Sequence, residues 1–188
     1  CLFMATPDRG LLDLLDIWPR IKANAPHAKL HLFSSFLGWG ISVDENEKMM
    51  AELYLRIQNM VYLDVVNHRH ANPEELHGYV AASDLYLYPS NYYETCCMSV
   101  LECMQMGTIP VVTGRAALLE KVADGVTGYV IPSYGVDSNR YRDQFVARTS
   151  LLLNTPMAAK QWMRDNCREY AKRFTYAVLV REWEAEWL

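Results

Sequence analysis

Residues 83–132 read SDLYLYPSNYYETCCMSVLECMQMGTIPVVTGRAALLEKVADGVTGYVIP, and this stretch decides the fold. The apolar run Leu85 to Tyr88 is stopped by Pro89-Ser90. A polar loop then leads to Glu94 and into a helical pattern that closes at Gly107. A second apolar run, Ile109 to Val112, follows a Gly-Thr step and ends at Gly114, before another short helical pattern. Strand, helix, strand, helix implies parallel strands joined by crossover helices, a Rossmann-like doubly wound α/β sheet. In such sheets ligands sit beyond the carboxyl ends of the strands, the edge at which the Glu94 loop lies.

Glu94 and Glu102 frame that loop and helix, with seven residues between them. Glu94 is expected before the helix's first turn and Glu102 on its second, and helical rise would separate the two by roughly 8 to 12 Å, about the span of a sugar plus one phosphate. Thr95, Cys96, Cys97 and Met98 would then offer unpaired backbone N–H groups at a positive helix end, which suits an anion. Carboxylates accept hydrogen bonds from sugar and ribose hydroxyls and repel phosphate, so acids at the ends with N–H groups between them suit a sugar phosphate. The bare pair of glutamates also fits a first-turn acid and a solvated helix residue.

The composition sets outer bounds. At 188 residues and 51% hydrophobic, a single core would bury about 70% of the unfolded chain's surface. A formal charge of −4 supplies no basic field for nucleic acid or a membrane, and no apolar run approaches the ~20 residues of a transmembrane helix. Five cysteines, an odd number without a CxxC pair, favour a reducing compartment over a disulfide framework. Cys96, Cys97 and Cys103 read as small buried hydrophobes rather than redox or metal groups. The expected location is cytoplasmic, with peripheral membrane attachment of a full-length protein left open. The first residue is Cys1, and Cys1 to Ala5 already resemble a buried strand, so a segment of a longer protein is expected.

Along the chain, Thr6 or Asp8 is expected to cap a helix carrying Leu11, Leu14, Leu15, Trp18 and Ile21, which ends at Asn24-Ala25-Pro26. Lys29 to Phe33 reads as strand two, followed by the turn Ser34 to Gly40. Glu45 to Gln58 reads as a helix with Met49, Leu53 and Ile57 in the core. Val61 to Val65 reads as strand three, leading into a solvated loop with His68 and His70 and a helix opened at Asn72-Pro73. Those histidines and His77 lack a cysteine or carboxylate at ligand spacing, so no metal site is expected. Asp124 to Gly128 is a turn into strand Tyr129 to Ile131. Residues 138–188 are read as C-terminal helices, Asn139 to Leu153, Met157 to Arg173 and Thr175 to Leu188. Their large aromatics, Trp162, Tyr170, Phe174, Trp183 and Trp187, either cover the sheet edge or wait for a partner.

The run YPS, ET, LE, MG, PVVT and DGVTGYVIP, in this order, resembles the retaining glycosyltransferases of family 4. These have the GT-B fold and carry a Glu, seven residues, Glu signature in their carboxy-terminal half. The subgroup with ETxC and PDRG is most similar, here Glu94 to Cys97 and Pro7 to Gly10. The resemblance implies that Glu94 approaches the transferred sugar, that Glu102 holds the nucleotide ribose and that the amides of Thr95 to Met98 bind the diphosphate. It makes Arg9 a donor-phosphate ligand and leaves Arg115 a weak candidate. Relatives often carry two basic residues five positions apart in the first loop; here the first is Met4. By this resemblance residues 1–188 are the donor-binding domain of an enzyme that transfers a hexosyl group from a nucleotide-diphosphate sugar to a hydroxyl. The implied partners are that donor and an acceptor-binding amino-terminal domain, without nucleic acid, cofactor or metal. A nucleotide-binding module without turnover, for which Met4 argues, and an unrelated receiver- or flavodoxin-type domain are the alternatives.

Overall fold

A computed structural model describes residues 1–69, 71–133 and 138–187. Six parallel strands form one sheet in the order β3-β2-β1-β4-β5-β6. They are β1 (Leu2–Met4), β2 (Leu30–Phe33), β3 (Val65–Arg69), β4 (Leu85–Tyr88), β5 (Ile109–Gly114) and β6 (Tyr129–Pro132). The helices are α1 (Leu11–Asn24), α2 (Val43–Gln58), α3 (Pro73–Ala82), α4 (Met98–Gln105), α5 (Leu118–Lys121), α6 (Asn139–Asn154), α7 (Met157–Ala171) and α8 (Tyr176–Trp187). Winding runs outward from the centre in both directions, so right-handed crossovers put α1 and α4 on opposite faces. α1 packs beside α6, and α4 beside α7. The strand order reverses between β1 and β4, and the loops after these two strands open side by side at the carboxyl edge.

The strands are apolar on both faces because helices cover both: β1 and β4 are buried at every position. Trp18 is fully buried and satisfies its indole N–H on the Leu63 carbonyl at 2.9 Å. That contact corrects the expected third strand. Val61–Leu63 is a 3-10 turn, Asp64 takes the left-handed conformation (φ 56), and pairing with β2 begins only at Val65. Asn67 and His68 are therefore strand residues and not loop; His70 lies outside the described residues. Met50 and not Met49 joins Leu53 and Ile57 in the core, and α2 starts earlier than expected, at a capping box in which Ser42 and Glu45 satisfy each other's backbone N–H groups. α1 likewise begins at Leu11, behind Gly10, with neither Thr6 nor Asp8 capping it; Pro7–Arg9 forms a separate 3-10 turn.

His68 stacks on Phe33 (4.4 Å, 5°) and meets His31 with Nε2 2.9 Å from Nδ1, while Tyr79 of α3 packs against all three rings. Burial disfavours charge on both imidazoles, pushing His31 down to about 4 and His68 in the same direction. In the unfolded chain histidine titrates near 6.5, so protons bind that state first. Stability is then complete above about pH 7 and declines as pH falls toward 4. Urea unfolding at pH 7.5 and 5.0 should show this loss, and His31→Leu should make the difference smaller than in the parent chain.

The C-terminal helices divide by burial. α6 and α7 carry core residues such as Tyr141, Phe145 and Cys167, whereas α8 has none. Trp162, Trp183 and Trp187 are exposed, so they do not close the sheet edge. No described helix is long and apolar enough to cross a membrane.

Candidate functional site

The site is built where the loop after β1 touches the loop after β4. Gly10 adopts φ 97, and a Cβ there would lie 2.3 Å from the Pro89 carbonyl oxygen. Two backbones meet with no room for a side chain. This approach carries Arg9 to Glu94, with Nη1 3.6 Å from Oε1. The Arg9 guanidinium also lies over the Tyr92 ring at 3.2 Å and pairs with Asp8 at 3.4 Å. Burial works against its charge, but the contact with Tyr92 and the carboxylates of Glu94 and Asp8 outweigh it, so its pKa is raised. Arg9 Nη1 is shielded from solvent and makes no hydrogen bond of its own.

Glu94 stands ahead of α4, as expected, but the helix starts later than expected. Cys97 turns left-handed (φ 56) and begins the helix at Met98, so Thr95, Cys96 and Cys97 are loop residues and helical rise does not set the spacing of Glu94 and Glu102. The expectation of free donors survives this change. Among the described residues, no protein acceptor takes the N–H of Thr95, Cys96, Cys97 or Met98. Thr95 and Met98 are exposed, so the helix start is not sealed. Cys97 is buried, and burial raises its thiol to about 11, which keeps it an uncharged packing group. All five cysteines are free.

Glu102, one turn into α4, is exposed and opens with Ser99 onto a cavity of about 320 Å³. Its wall is completed by the carboxyl ends of the neighbouring strands, including Met4, Phe33, Ser34 and Arg69. Ser34 Oγ donates to the Ala5 carbonyl at 2.7 Å, and Tyr86 Oη lies 3.3 Å from the Met4 carbonyl and 3.0 Å from Ser99 Oγ. β1, β2, β4 and α4 are thus tied around one opening. Trp39 packs on Phe36 at 4.7 Å and is otherwise exposed, outside this cavity lining.

The structure brings Arg9 to Glu94, which directly precedes the four amides in the chain, and sets Glu102 in the lining of the cavity. Arg115 has partners of its own on the loop after β4. It holds the loop after β4 from behind, donating to the Asn91 carbonyl at 2.5 Å and stacking on Tyr93 at 4.3 Å, while the Ala117 N–H reaches the Glu94 carbonyl at 3.1 Å. Sequence reading missed Tyr88, whose hydroxyl donates to Glu94 Oε1 at 2.5 Å, and Tyr92. Nothing in an alternating Leu-Tyr-Leu-Tyr strand marks which tyrosine ends at a carboxylate.

A family model described as glycosyl transferases group 1 matches residues 4–174. A lipopolysaccharide 1,2-N-acetylglucosaminetransferase of Salmonella typhimurium is 26% identical over 127 residues, 66% of this chain and 32% of that protein. Granule-bound starch synthase 1 of Arabidopsis thaliana is 26% identical over 159 residues, 80% of this chain and 26% of its own length. The chain therefore spans a third or less of these relatives. In fold it is similar to the pneumococcal O-GlcNAc transferase GtfA, solved with UDP and GlcNAc (TM-score 0.75, 13% identity, 98% of this chain and 35% of that one). Anabaena Alr3699/HepE, solved with UDP, gives a TM-score of 0.69 at 18% identity, over 98% of this chain and 47% of that one. Matched by sequence over most of its length and not by fold alone, the chain belongs to the group 1 glycosyl transferases.

Proposed function

We propose that residues 1–188 are the donor-binding domain of a retaining glycosyltransferase of family 4, with residues 138–188 its C-terminal helices. The enzyme transfers a hexosyl group from a nucleotide-diphosphate sugar to a hydroxyl. The observation that carries this reading is the meeting of Arg9 and Glu94 at the strand-order reversal, ahead of four amides that find no acceptor among the described residues. Departure of the diphosphate builds negative charge, which Arg9 and the amides of Thr95 to Met98 stabilise, fixed in place before the reaction. Glu94 favours the positive character that develops on the sugar and holds its hydroxyls. Glu102 accepts from the ribose, and the cavity beside it takes the nucleoside. No cofactor or metal is part of this proposal. The acceptor site lies on a further, amino-terminal domain of the full-length protein, consistent with the short share of its relatives that this chain spans.

Calorimetric titration of the chain with UDP, GDP and their sugars tests the assignment. Binding of at least one is expected, and Arg9→Ala should weaken it about 10- to 100-fold, the loss of one or two charge-assisted hydrogen bonds. Absence of binding by every nucleotide and nucleotide sugar tested refutes the reading. A second reading, a nucleotide-binding module without turnover, draws on Met4. A buried thioether lines the cavity where relatives often carry a second base. Radiolabelled sugar transfer by the full-length protein separates the two.

A further inference from the structure

Tyr88 is the last residue of β4, 2% exposed, its ring packed near Phe3 (6.4 Å) and Tyr86 (5.5 Å). From that fixed position its hydroxyl donates to Glu94 Oε1 at 2.5 Å, and Arg9 Nη1 approaches the same oxygen at 3.6 Å. Among the described residues, Oε2 receives no protein donor. The Glu94 backbone is held separately, its carbonyl accepting the Ala117 N–H. One carboxylate oxygen is thus committed to the protein, and its twin is left over.

We propose that Tyr88 is a positioning residue for sugar transfer, pinning Glu94 through Oε1 so that Oε2 is presented to the transferred sugar. The inference rests on the reading of Glu94 given above. An O–H donor to a carboxylate is a short and strong hydrogen bond, and one anchored to a buried strand restricts the carboxylate to a single orientation. The groups facing the pair are Arg9 and Asp8 from the loop after β1, and Cys97 from the loop after β4. Burial first, then the proximity of Cys97 and the hydrogen bond to Glu94, push the Tyr88 phenol far above its ordinary range. It stays protonated and remains a donor wherever the protein is folded.

Tyr88→Phe deletes one oxygen and keeps the ring that packs the strand. In the full-length enzyme we expect kcat to fall about 10- to 100-fold, with the dissociation constant of the nucleotide sugar unchanged within about twofold. In a Glu94→Gln background the same change should cost no more than about twofold, since the carboxylate charge it positions is gone. Site-specific 3-fluorotyrosine at position 88, which keeps both shape and donor, should retain at least about half of kcat. A Tyr88→Phe enzyme with undiminished kcat overturns the proposal, as does a loss that persists in full in the Glu94→Gln background, the behaviour of a packing residue. If instead Glu94→Gln alone leaves transfer intact, the reading of Glu94 fails and the proposal falls with it; the single variants tell these failures apart.

Discussion

Glu94→Gln should lower kcat for sugar transfer about a thousandfold while leaving nucleotide binding nearly intact. The substitution keeps the size of the side chain and its ability to accept the Tyr88 hydroxyl, and removes only the charge. Electrostatic groups aimed at a transition state contribute about 3 to 4 kcal/mol each when lost, a factor of 10² to 10³ in rate. Arg9 and the amides of Thr95 to Met98, which are assigned to the diphosphate, are untouched. The dissociation constant for UDP should therefore stay within about threefold, read by calorimetry. The ion pair at 3.6 Å sharpens the contrast, because Arg9 released from Glu94 is freer to meet phosphate. Full activity of the variant would refute the role given to Glu94.

Gly10→Ala should lower stability and ligand affinity together. At φ 97 an L-residue is strained by roughly 1 to 2 kcal/mol. The new methyl would also lie 2.3 Å from the Pro89 oxygen, a backbone atom that yields only if the loop after β4 moves. A total near 3 to 5 kcal/mol corresponds to a fall in Tm of about 10 °C for a domain of this size. Gly40→Ala is the matched control: φ is 75, with nothing within 4 Å of the added Cβ, so only the backbone strain is expected. The difference between the two, by calorimetric melting, isolates the collision. Because the collision shifts the backbone that carries Arg9 out of place, UDP affinity should fall with Gly10→Ala and hold with Gly40→Ala.

The sheet was legible because burial on both faces leaves uninterrupted apolar runs, as in Leu85 to Tyr88 and Ile109 to Val112, and because Pro89 and Gly114 punctuate them. Element boundaries were misread where one residue takes a left-handed turn that apolar spacing does not encode. Asp64 delays β3, and Cys97 delays α4; neither is a glycine, so neither signals the turn. His68 read as solvated for the same reason, since a strand displaced by a few residues hides a histidine under aromatic rings. Of the site, the charged residues could be named from sequence, because two glutamates and an arginine at loop positions are conspicuous. Their supports could not. Tyr88, Tyr92 and Arg115 act through contacts made by the fold, across which residues of β4, its loop and β5 meet.

β1 and β4 share only one register pair, Leu2 with Tyr86, where β4 and β5 share four. The sheet is thus two three-stranded panels joined along a thin seam, and the opening between the two loops lies at its end. On the proposed reading, a donor seated there would touch Arg9 and Ser34 on one panel and Glu94 and Ser99 on the other, and so would act as a brace across the joint. Tightness of grip and resistance to melting would then be linked quantities, each rising with the other as the brace fills.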